Sequence, residues 1–404
     1  MSALPPMAMP YAGRAVPHVV IEVNQQCDIR CRACYKDKYG YSKSLEEIQG
    51  EVELALRERD LSLVTLAGGE PSLHPRLEEV IAYIAGRGVA VQMLSNGYQL
   101  TEDKLRRYKT AGLAKVYLHV DSHQRRPDAR PGATEAELDP LRDEIAARAT
   151  RAGVPCALSL TLYRDSFAEL GSLVRFVLGR PDFHRLLAIC CTDVNGLASC
   201  AGQQEGAFGP DRPRPDDLSG QTLTNAEVEA ALAPLGMEPF AYIPSERDPD
   251  ARRWLLYQSF VVSLPDGRQH VLHASSRYRR LVAGANALSL RLRGRYPFGK
   301  IMSGRGAALA LLLYAVTSLH LPTALAVLAL LARALAPGAR LHQKTLVFQE
   351  GPHAEANGEI DYCKGCPDAT VRNGKLVPVC MADVLSPVPK AGRRLPAAQP
   401  PAAA

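Results

Sequence analysis

The chain lacks several features that would place it in common classes of protein. No stretch of the 404 residues combines dense basic charge with aromatic residues, and the net charge is only +6, which argues against a nucleic-acid partner. Residues 1–17 lack the charged-then-apolar order of a signal peptide, so we expect a cytoplasmic chain. Because disulfides are rare in a reducing compartment, the ten cysteines are predicted to be metal ligands or buried thiols.

Three closely spaced cysteines near the N-terminus are the strongest chemical signal. Cys27, Cys31 and Cys34 follow an apolar, strand-like run with the spacing C-x3-C-x2-C. Thiolates are the usual ligands of a [4Fe-4S] cluster, and three of them leave one iron open to bind a small molecule. The spacing also suits zinc, so the assignment depends on the residues that follow.

A glycine-rich turn follows one βα unit later. It consists of Gly68, Gly69, Glu70 and Pro71 and comes directly after an apolar run. Glycine lets a backbone approach a ligand closely and adopts positive φ without steric cost. The alternative interpretation is a plain strand-to-helix turn.

Six apolar runs alternate with helical patterns along the first half of the chain. Each gap is long enough for a crossover helix, which predicts a parallel βα repeat. Ser44 and Glu47 form a capping-box pattern, and Gly112 and Gly153 are expected helix ends. The predicted fold class is α/β, a partial (βα)6 barrel of the TIM type with its chemistry at the C-terminal ends of the strands. The six runs are 18–23, 61–66, 89–94, 115–120, 156–162 and 186–190.

Together these motifs resemble the radical S-adenosylmethionine (radical SAM) superfamily. The resemblance implies that Cys27, Cys31 and Cys34 hold a [4Fe-4S] cluster whose open iron chelates S-adenosylmethionine (SAM). An electron passed to the sulfonium, from a donor such as ferredoxin or flavodoxin, then yields a 5′-deoxyadenosyl radical. The turn of Gly68, Gly69, Glu70 and Pro71 is expected to meet the amino group of the cofactor.

Polar residues at later strand ends are further cofactor-binding candidates that the resemblance implies. Asn96, Asp121 and Ser122 follow the third and fourth predicted strands. We expect them to contact the ribose and carboxylate of SAM. Turn or cap roles are the alternative, since Asn, Asp and Ser often occupy such positions.

A second group of cysteines lies near the C-terminus. Cys363, Cys366 and Cys380 have the spacing C-x2-C-x13-C, and an intervening Asn-Gly hairpin would fold Cys380 back beside the pair. The arrangement resembles the twitch or SPASM-like auxiliary element of radical SAM enzymes, which implies a second [4Fe-4S] cluster. Structural zinc is the alternative. A further group, Cys190, Cys191 and Cys200, is interpreted as buried thiols, with one extra ligand among them as the alternative.

Residues 307–332 contain no charged side chain. About 20 apolar residues can span a bilayer as a helix, but Pro322 interrupts this stretch, so two short helices are predicted. Such helices must be covered by protein, by a membrane face or by an apolar ligand. Packing on the barrel and peripheral membrane contact are both open. Basic residues that would suit anionic headgroups flank the stretch: Arg291, Arg293, Arg295, Lys300, Arg305, Arg333, Arg340 and Lys344.

The motifs at 68–74, 94–97, 116–121 and 171–176 resemble the tetraether-lipid-synthase-like branch of the superfamily. This resemblance implies hydrogen abstraction from an unactivated carbon of a hydrophobic or lipid substrate. A peptide-modifying maturase and a non-enzymatic, membrane-associated metal-site scaffold are the alternatives. The predicted segments are a leader (1–16), the core barrel (17–200), an irregular and β-hairpin insertion (201–300), an apolar helical pair (301–345), the auxiliary element (346–390) and a disordered tail (391–404).

Overall fold

The structure is a computed structural model, and it describes residues 4–36, 38–193, 218, 220–355 and 359–385. Cys200 and the predicted tail lie outside the described residues. The described strands are β1 (Met7–Ala8), β2 (His18–Asn24), β3 (Arg30–Cys31), β4 (Leu63–Gly68), β5 (Ala90–Ser95), β6 (Leu113–His119), β7 (Gln124–Arg125), β8 (Cys156–Leu162), β9 (Phe183–Cys190), β10 (Ala241–Pro244), β11 (Arg252–Ser263), β12 (Gln269–His273), β13 (Arg340–Gln349), β14 (His353–Ala354), β15 (Ile360–Asp361), β16 (Ala369–Arg372) and β17 (Lys375–Pro378). The described helices are α1 (Leu45–Glu58), α2 (Leu77–Gly86), α3 (Glu102–Ala111), α4 (Asp139–Arg151), α5 (Leu170–Gly179), α6 (Asn225–Leu232), α7 (Arg279–Arg293), α8 (Gly304–Thr317), α9 (Leu321–Ala334) and α10 (Ala382–Leu385).

The barrel is a parallel sheet with the order β2-β4-β5-β6-β8-β9, crossed over by α1 to α5. All six predicted strands and the α/β fold class are confirmed. Both β2 and β8 are buried at every position, as expected for parallel strands that helices cover on one face. Each strand therefore ends at the same edge of the sheet.

Local signals in the sequence determine where several helices begin and end. Ser44 caps α1 through the predicted capping box with Glu47. Helix α3 ends at Gly112, whose φ of 114° is accessible to glycine without strain. Helix α4 begins only at Asp139 and ends next to Gly153. The predicted helix ends are thus confirmed at both glycines.

The sheet continues beyond the six predicted units. Strand β13 pairs parallel with β9, β11 pairs antiparallel with β13, and β10 and β1 complete the edge. The hairpin of β11 and β12 is confirmed. The expectation of an otherwise irregular insertion at 201–300 is wrong for the described part, because β10 and β11 join the barrel sheet. Antiparallel strands need no crossover helix, so no alternating pattern marked them.

Helices α7, α8 and α9 cover the sheet on the side of β11, β12 and β13. Tyr278, Leu311 and Tyr314 are buried there against Phe260. The predicted pair of helices is confirmed, with Pro322 in the first turn of α9. Within the described part of the chain, no helix has both the length and the hydropathy needed to cross a bilayer.

The C-terminal hairpin of β16 and β17 packs against β2. Its turn residues, Asn373 and Gly374, both have positive φ, at 49° and 73°. This is the geometry that Asn-Gly favours in two-residue hairpins. The predicted hairpin is confirmed, and it returns the chain toward the first strand of the barrel.

Candidate active site

The first three cysteines lie in a loop that follows β2. Within this loop β3 pairs antiparallel with β7. The amide of Ala33 donates to the hydroxyl of Tyr163 at 3.0 Å, and Lys38 Nζ donates to the carbonyl of Ile29 at 2.8 Å. The loop is therefore fixed both internally and to the residue that follows β8.

The thiols of Cys27, Cys31 and Cys34 line a cavity of about 160 Å3, which we name the upper cavity. Burial, opposed by the charge of Lys38, raises the pKa of Cys27 to about 11 and that of Cys31 well above its usual range. Ligation of iron requires thiolates, so it would release these protons. Among the described residues no three metal-ligating side chains converge on a point for one ion. The thiol ligands of a cubane bind separate irons and stand further apart, so three thiols on one cavity fit a cluster.

Gly68 and Gly69 allow the turn to pass against the backbone of the cysteine loop. A Cβ at Gly69 would overlap the carbonyl oxygen of Gln26, and Gly68 has a φ of 135°. The amide of Glu70 donates to the same Gln26 carbonyl at 2.7 Å. Both glycines also line the upper cavity, so their lack of side chains serves the loop and the cavity together.

The Glu70 carboxylate lies inside the protein and does not line the upper cavity. It is 1% exposed and accepts hydrogen bonds from Ser72 N at 3.0 Å, Ser95 Oγ at 2.8 Å and Asn96 N at 2.8 Å. Burial, opposed by these hydrogen bonds, raises its pKa. Pro71 begins a short 3-10 turn and is also buried outside the cavity lining. Contact of the Glu70 carboxylate with a cofactor stays a prediction and requires release of these partners.

Of the three candidates at strand ends, only Asn96 lines the upper cavity. Its Nδ2 donates to Asp28 Oδ1 at 2.6 Å. Asp121 is buried and accepts from the amide of Thr161 at 3.2 Å. Ser122 Oγ is buried with no hydrogen-bond partner among the described residues. As the strand ends stand, Asp121 and Ser122 do not reach the upper cavity. Contact of either residue with the cofactor would require the strand ends to move.

Other residues of the upper cavity were not nominated from the sequence. His119 lies at the end of β6, where the rule that nominated Asn96 could have found it. Gly351 and Pro352 follow β13 and line the opposite wall. No local signal identified them, because the place of β13 in the sheet was not predicted.

The second group of cysteines converges as the hairpin requires. The hydrogen bond of Cys363, together with burial, raises the pKa of Cys366 well above its usual range. Burial and then the charge of Cys366 raise the pKa of Cys380. Cys380 also lines the upper cavity with the first three cysteines. One member of the second group therefore reaches the cavity that the first group lines.

Cys190 and Cys191 are each 1% exposed, which agrees with the interpretation as buried thiols. Both also contribute to the wall of the upper cavity. Burial raises the pKa of Cys191 to about 12. The alternative of an extra ligand among them therefore stays open.

A buried cluster of charges connects the two cysteine groups. Lys36, two residues after Cys34, places Nζ 2.7 Å from Glu22 Oε1 and 2.8 Å from Asp383 Oδ1. Arg372 of β16 forms ion pairs with Glu22 and with Asp383, the latter at 3.1 Å. All four side chains are at most 4% exposed. Two cations thus neutralise two carboxylates inside the protein.

A second cavity, of about 480 Å3, lies between the sheet and helices α7 and α8, and we name it the lower cavity. Its wall is mainly apolar and includes Ile243, Trp254 and Leu187. Four leucines of its wall are 45–71% exposed, so the cavity opens to the surface there. They are Leu288 and Leu292 of α7 and Leu309 and Leu313 of α8.

The two cavities occupy successive layers of the same sheet face. Four strands or strand ends each contribute one residue to the lower cavity and the residue two positions later to the upper cavity. Residues two apart on a strand share a face and are separated by about 7 Å. The lower cavity therefore ends directly beneath the cysteine site. The pairs are Gln92 and Leu94, Tyr117 and His119, Leu187 and Ile189, and Gln349 and Gly351.

Residues 21–177 match the family model of the Radical SAM superfamily. Among curated relatives, a tungsten-containing aldehyde ferredoxin oxidoreductase cofactor-modifying protein of Pyrococcus furiosus is 23% identical, over 40% of this chain and 48% of the relative. A PqqA peptide cyclase of Streptomyces rochei is 26% identical, over 42% and 46%. A GTP 3',8-cyclase of Campylobacter fetus subsp. fetus is 31% identical, over 27% and 36%. The chain thus matches less than half the length of each of these relatives.

The family match covers the strands and turns that build the upper cavity from β2 to β8. Residues 21–177 of the chain therefore match the radical SAM superfamily, and the predicted resemblance is confirmed over this part of the chain. Its cofactors are a [4Fe-4S] cluster and SAM, as in that superfamily of enzymes. The tetraether-lipid branch stays a prediction.

Proposed function

We propose that this protein is a radical SAM enzyme that abstracts hydrogen from an unactivated carbon of a hydrophobic substrate. Cys27, Cys31 and Cys34 would hold the cluster at the upper cavity, and Asn96 would lie beside the bound cofactor. When bound, the cluster and SAM supply a 5′-deoxyadenosyl radical after uptake of one electron, with methionine as the second product. The chain itself positions the substrate and excludes water.

The observation that carries this proposal is the stacking of the two cavities. An apolar chain in the lower cavity would end one residue layer, about 7 Å, from the side chains around the cysteines. Its burial there would gain about 25 cal/mol per Å2 of apolar surface. A small polar substrate would gain nothing from contact with this mainly apolar wall. A hydrophobic substrate is therefore the better fit to this lumen.

The second cysteine group would hold an auxiliary [4Fe-4S] cluster through Cys363, Cys366 and Cys380. Cys380 lies on the wall of the upper cavity, so this cluster would be close to the reacting carbon. It could bind the substrate or accept an electron from it. The external electron donor would be a ferredoxin or a flavodoxin.

We also propose that α7, α8 and α9 contact an anionic membrane surface. Between residues 267 and 349 the chain has twelve Lys and Arg and no Asp or Glu. Arg277 and Lys344 are buried, so the expectation of headgroup contact by Lys344 is wrong and ten of these cations remain for a surface. The same helices expose Val316 at 72%, Leu321 at 70% and Leu325 at 57%. Basic charge interspersed with exposed apolar side chains suits an interfacial helix on anionic lipid. The mouth of the lower cavity opens on this face, so a lipid could enter directly.

The proposed route can be tested by narrowing the mouth of the lower cavity. Gly306 lies in its wall, and an added Cβ there meets only Met302, at 3.8 Å, so a larger side chain fits without backbone strain. Gly306→Trp should lower product formation from a bacterial lipid extract at least tenfold, measured by mass spectrometry, while substrate-free SAM cleavage persists. Gly284→Trp, on an open face of α7, is the matched control. Equal turnover by both variants would contradict entry through this cavity.

A peptide substrate is the second candidate, because one relative, which aligns with this chain over 178 residues, is a PqqA peptide cyclase. A peptide would reach the cysteines from the open edge of the upper cavity. Gly306→Trp should then leave turnover unchanged, and the mass-shifted product would be found in the peptide fraction. The same assay therefore separates the two substrates.

A further inference from the structure

One cation in the wall of the lower cavity forms no ion pair with a described residue. Arg185 of β9 lies in the cavity wall, and its Nη1 donates to the hydroxyl of Tyr117 at 3.0 Å. Its Nε is buried without a hydrogen-bond partner, and no carboxylate in the described ranges forms an ion pair with it. An unpaired guanidinium in a mainly apolar cavity is costly unless a ligand supplies the partner.

The neighbouring polar groups do not supply that partner. Asp368 is the one carboxylate of the lower cavity among the described residues. Its Oδ1 lies 3.0 Å from His18 Nδ1, and its Oδ2 accepts from Gln349 Nε2 at 3.0 Å. Gln92 Oε1, also in the wall, is buried without a partner. Both oxygens of the Asp368 carboxylate thus have other partners, and the unpaired Gln92 oxygen is an uncharged acceptor.

Lys115 is a buried basic group close to this position, whereas Arg293 and Lys300 of the cavity wall are exposed at the surface. Its Nζ donates to the carbonyl of Gly299, which lies in the cavity wall. Burial, and then the charge of Arg185, lowers its pKa well below the usual range. Arg185 is therefore the permanent cation at this depth of the cavity, because a guanidinium keeps its proton.

We propose that Arg185 binds the anionic group, a carboxylate or a phosphate, of an amphiphilic substrate whose apolar chain leaves between α7 and α8. A guanidinium binds either group through two parallel hydrogen bonds, which fixes orientation as well as position. This inference rests on the proposed function. It adds that the anionic end of the substrate lies deep in the lower cavity, and that the apolar end of its chain lies nearer the surface.

The direction of the substrate follows from the layers of the sheet. Arg185 is two residues before Leu187 and four before Ile189, which lines the upper cavity. The anionic group would therefore lie two residue layers, about 13 Å along the strand, below Ile189. Exposed leucines of α7 and α8 mark the other end of the path. A ligand that contacts both Arg185 and these leucines must carry an anionic group at one end and an apolar chain at the other.

The test is equilibrium binding of decanoate and decanol to the full-length, anaerobically reconstituted protein without reductant, by titration calorimetry. Decanoate should bind at least tenfold more tightly than decanol. Arg185→Gln should weaken decanoate binding tenfold to a hundredfold and leave decanol binding unchanged, which also shows that the cavity is intact. Arg185→Lys should retain part of the preference. Arg175→Gln, on an exposed position of α5, is the control and should match wild type.

Four results would overturn the assignment. Equal binding of decanoate and decanol by wild type, or unchanged decanoate binding by Arg185→Gln, would remove the anionic anchor but leave the apolar cavity in place. Displacement of decanoate by inorganic phosphate at similar affinity would indicate a site for a small anion instead of an amphiphile. If neither decanoate nor decanol binds, the hydrophobic substrate of the proposed function fails as well.

Discussion

Lys36 and Asp383 form a buried ion pair, with Nζ 2.8 Å from Oδ1, across 347 residues of sequence. Lys36 follows the last cysteine of the first group, and Asp383 follows the last cysteine of the second. Arg372 and Glu22 surround the pair with one more charge of each sign. The two cysteine groups are thus held at a defined separation by charges that have no access to water.

The first prediction concerns this charge cluster. Asp383→Asn removes one carboxylate and leaves Lys36 and Arg372 with a single counter-charge. Breaking a buried pair in this way costs roughly 3 kcal/mol, so the free energy of unfolding in a urea titration should fall by about that amount. Glu79→Gln, which breaks an exposed ion pair with Arg76, should leave the free energy of unfolding nearly unchanged. Equal small effects of both changes would show that the buried cluster is not a structural link.

The second prediction concerns the auxiliary site. Wild type should bind about eight irons per chain after reconstitution, and the triple alanine variant at Cys363, Cys366 and Cys380 about four. Substrate-free cleavage of SAM should survive this change, whereas product formation should not. Copurification of zinc in place of the missing four irons would instead assign a structural zinc site.

The third prediction concerns the membrane face. Leu309 and Leu328 are 58% and 54% exposed, so aspartate at both positions should not disturb the core. The double variant should lose most binding to vesicles that contain anionic lipid, because it adds negative charge and removes apolar contact. Wild-type binding should weaken as salt increases. The control carries the same charges at Ala82 of α2 and at Ala136, just before α4, which are both exposed. Absence of vesicle binding by wild type at low salt would refute membrane contact.

The fourth prediction concerns the anchor of the first cysteine loop. Tyr163→Phe removes the hydroxyl that accepts from the amide of Ala33. One such hydrogen bond is worth about 1 kcal/mol, and its loss leaves a buried amide unsatisfied. A chelator should therefore strip iron from this variant several times faster than from wild type. Tyr98→Phe is the control, since no hydrogen bond of the Tyr98 hydroxyl is present among the described residues. Identical rates of iron loss in both variants would argue against the anchor.

Much of the fold could be predicted because its signals are local. The capping box at Ser44, the left-handed Gly112 and the Asn373-Gly374 turn each determine the backbone of residues only a few positions away. Parallel strands with crossover helices also repeat regularly along the chain. Each of these features is therefore visible without knowledge of distant partners.

The rest depended on contacts between residues that are far apart in sequence. The pairing of β13 with β9 joins residues 160 positions apart, such as Arg185 and Thr345, and no spacing in the sequence indicates it. Arg185 and the lower cavity depend on that pairing and on the docking of α7 and α8. The orientation of Glu70 was also not predictable, because it depends on donors from Ser95 and Asn96 on the next strand end.

The most direct measurement is the anaerobic formation of 5′-deoxyadenosine from SAM by reconstituted protein with a strong reductant. Wild type should form it, and alanine at Cys27, Cys31 or Cys34 should abolish it, because each change removes one ligand of the cluster. Alanine at Cys156, which is buried in β8 away from both cavities, should retain cleavage. Undiminished cleavage in any of the three cluster variants would contradict the assignment of the upper cavity as the radical SAM site.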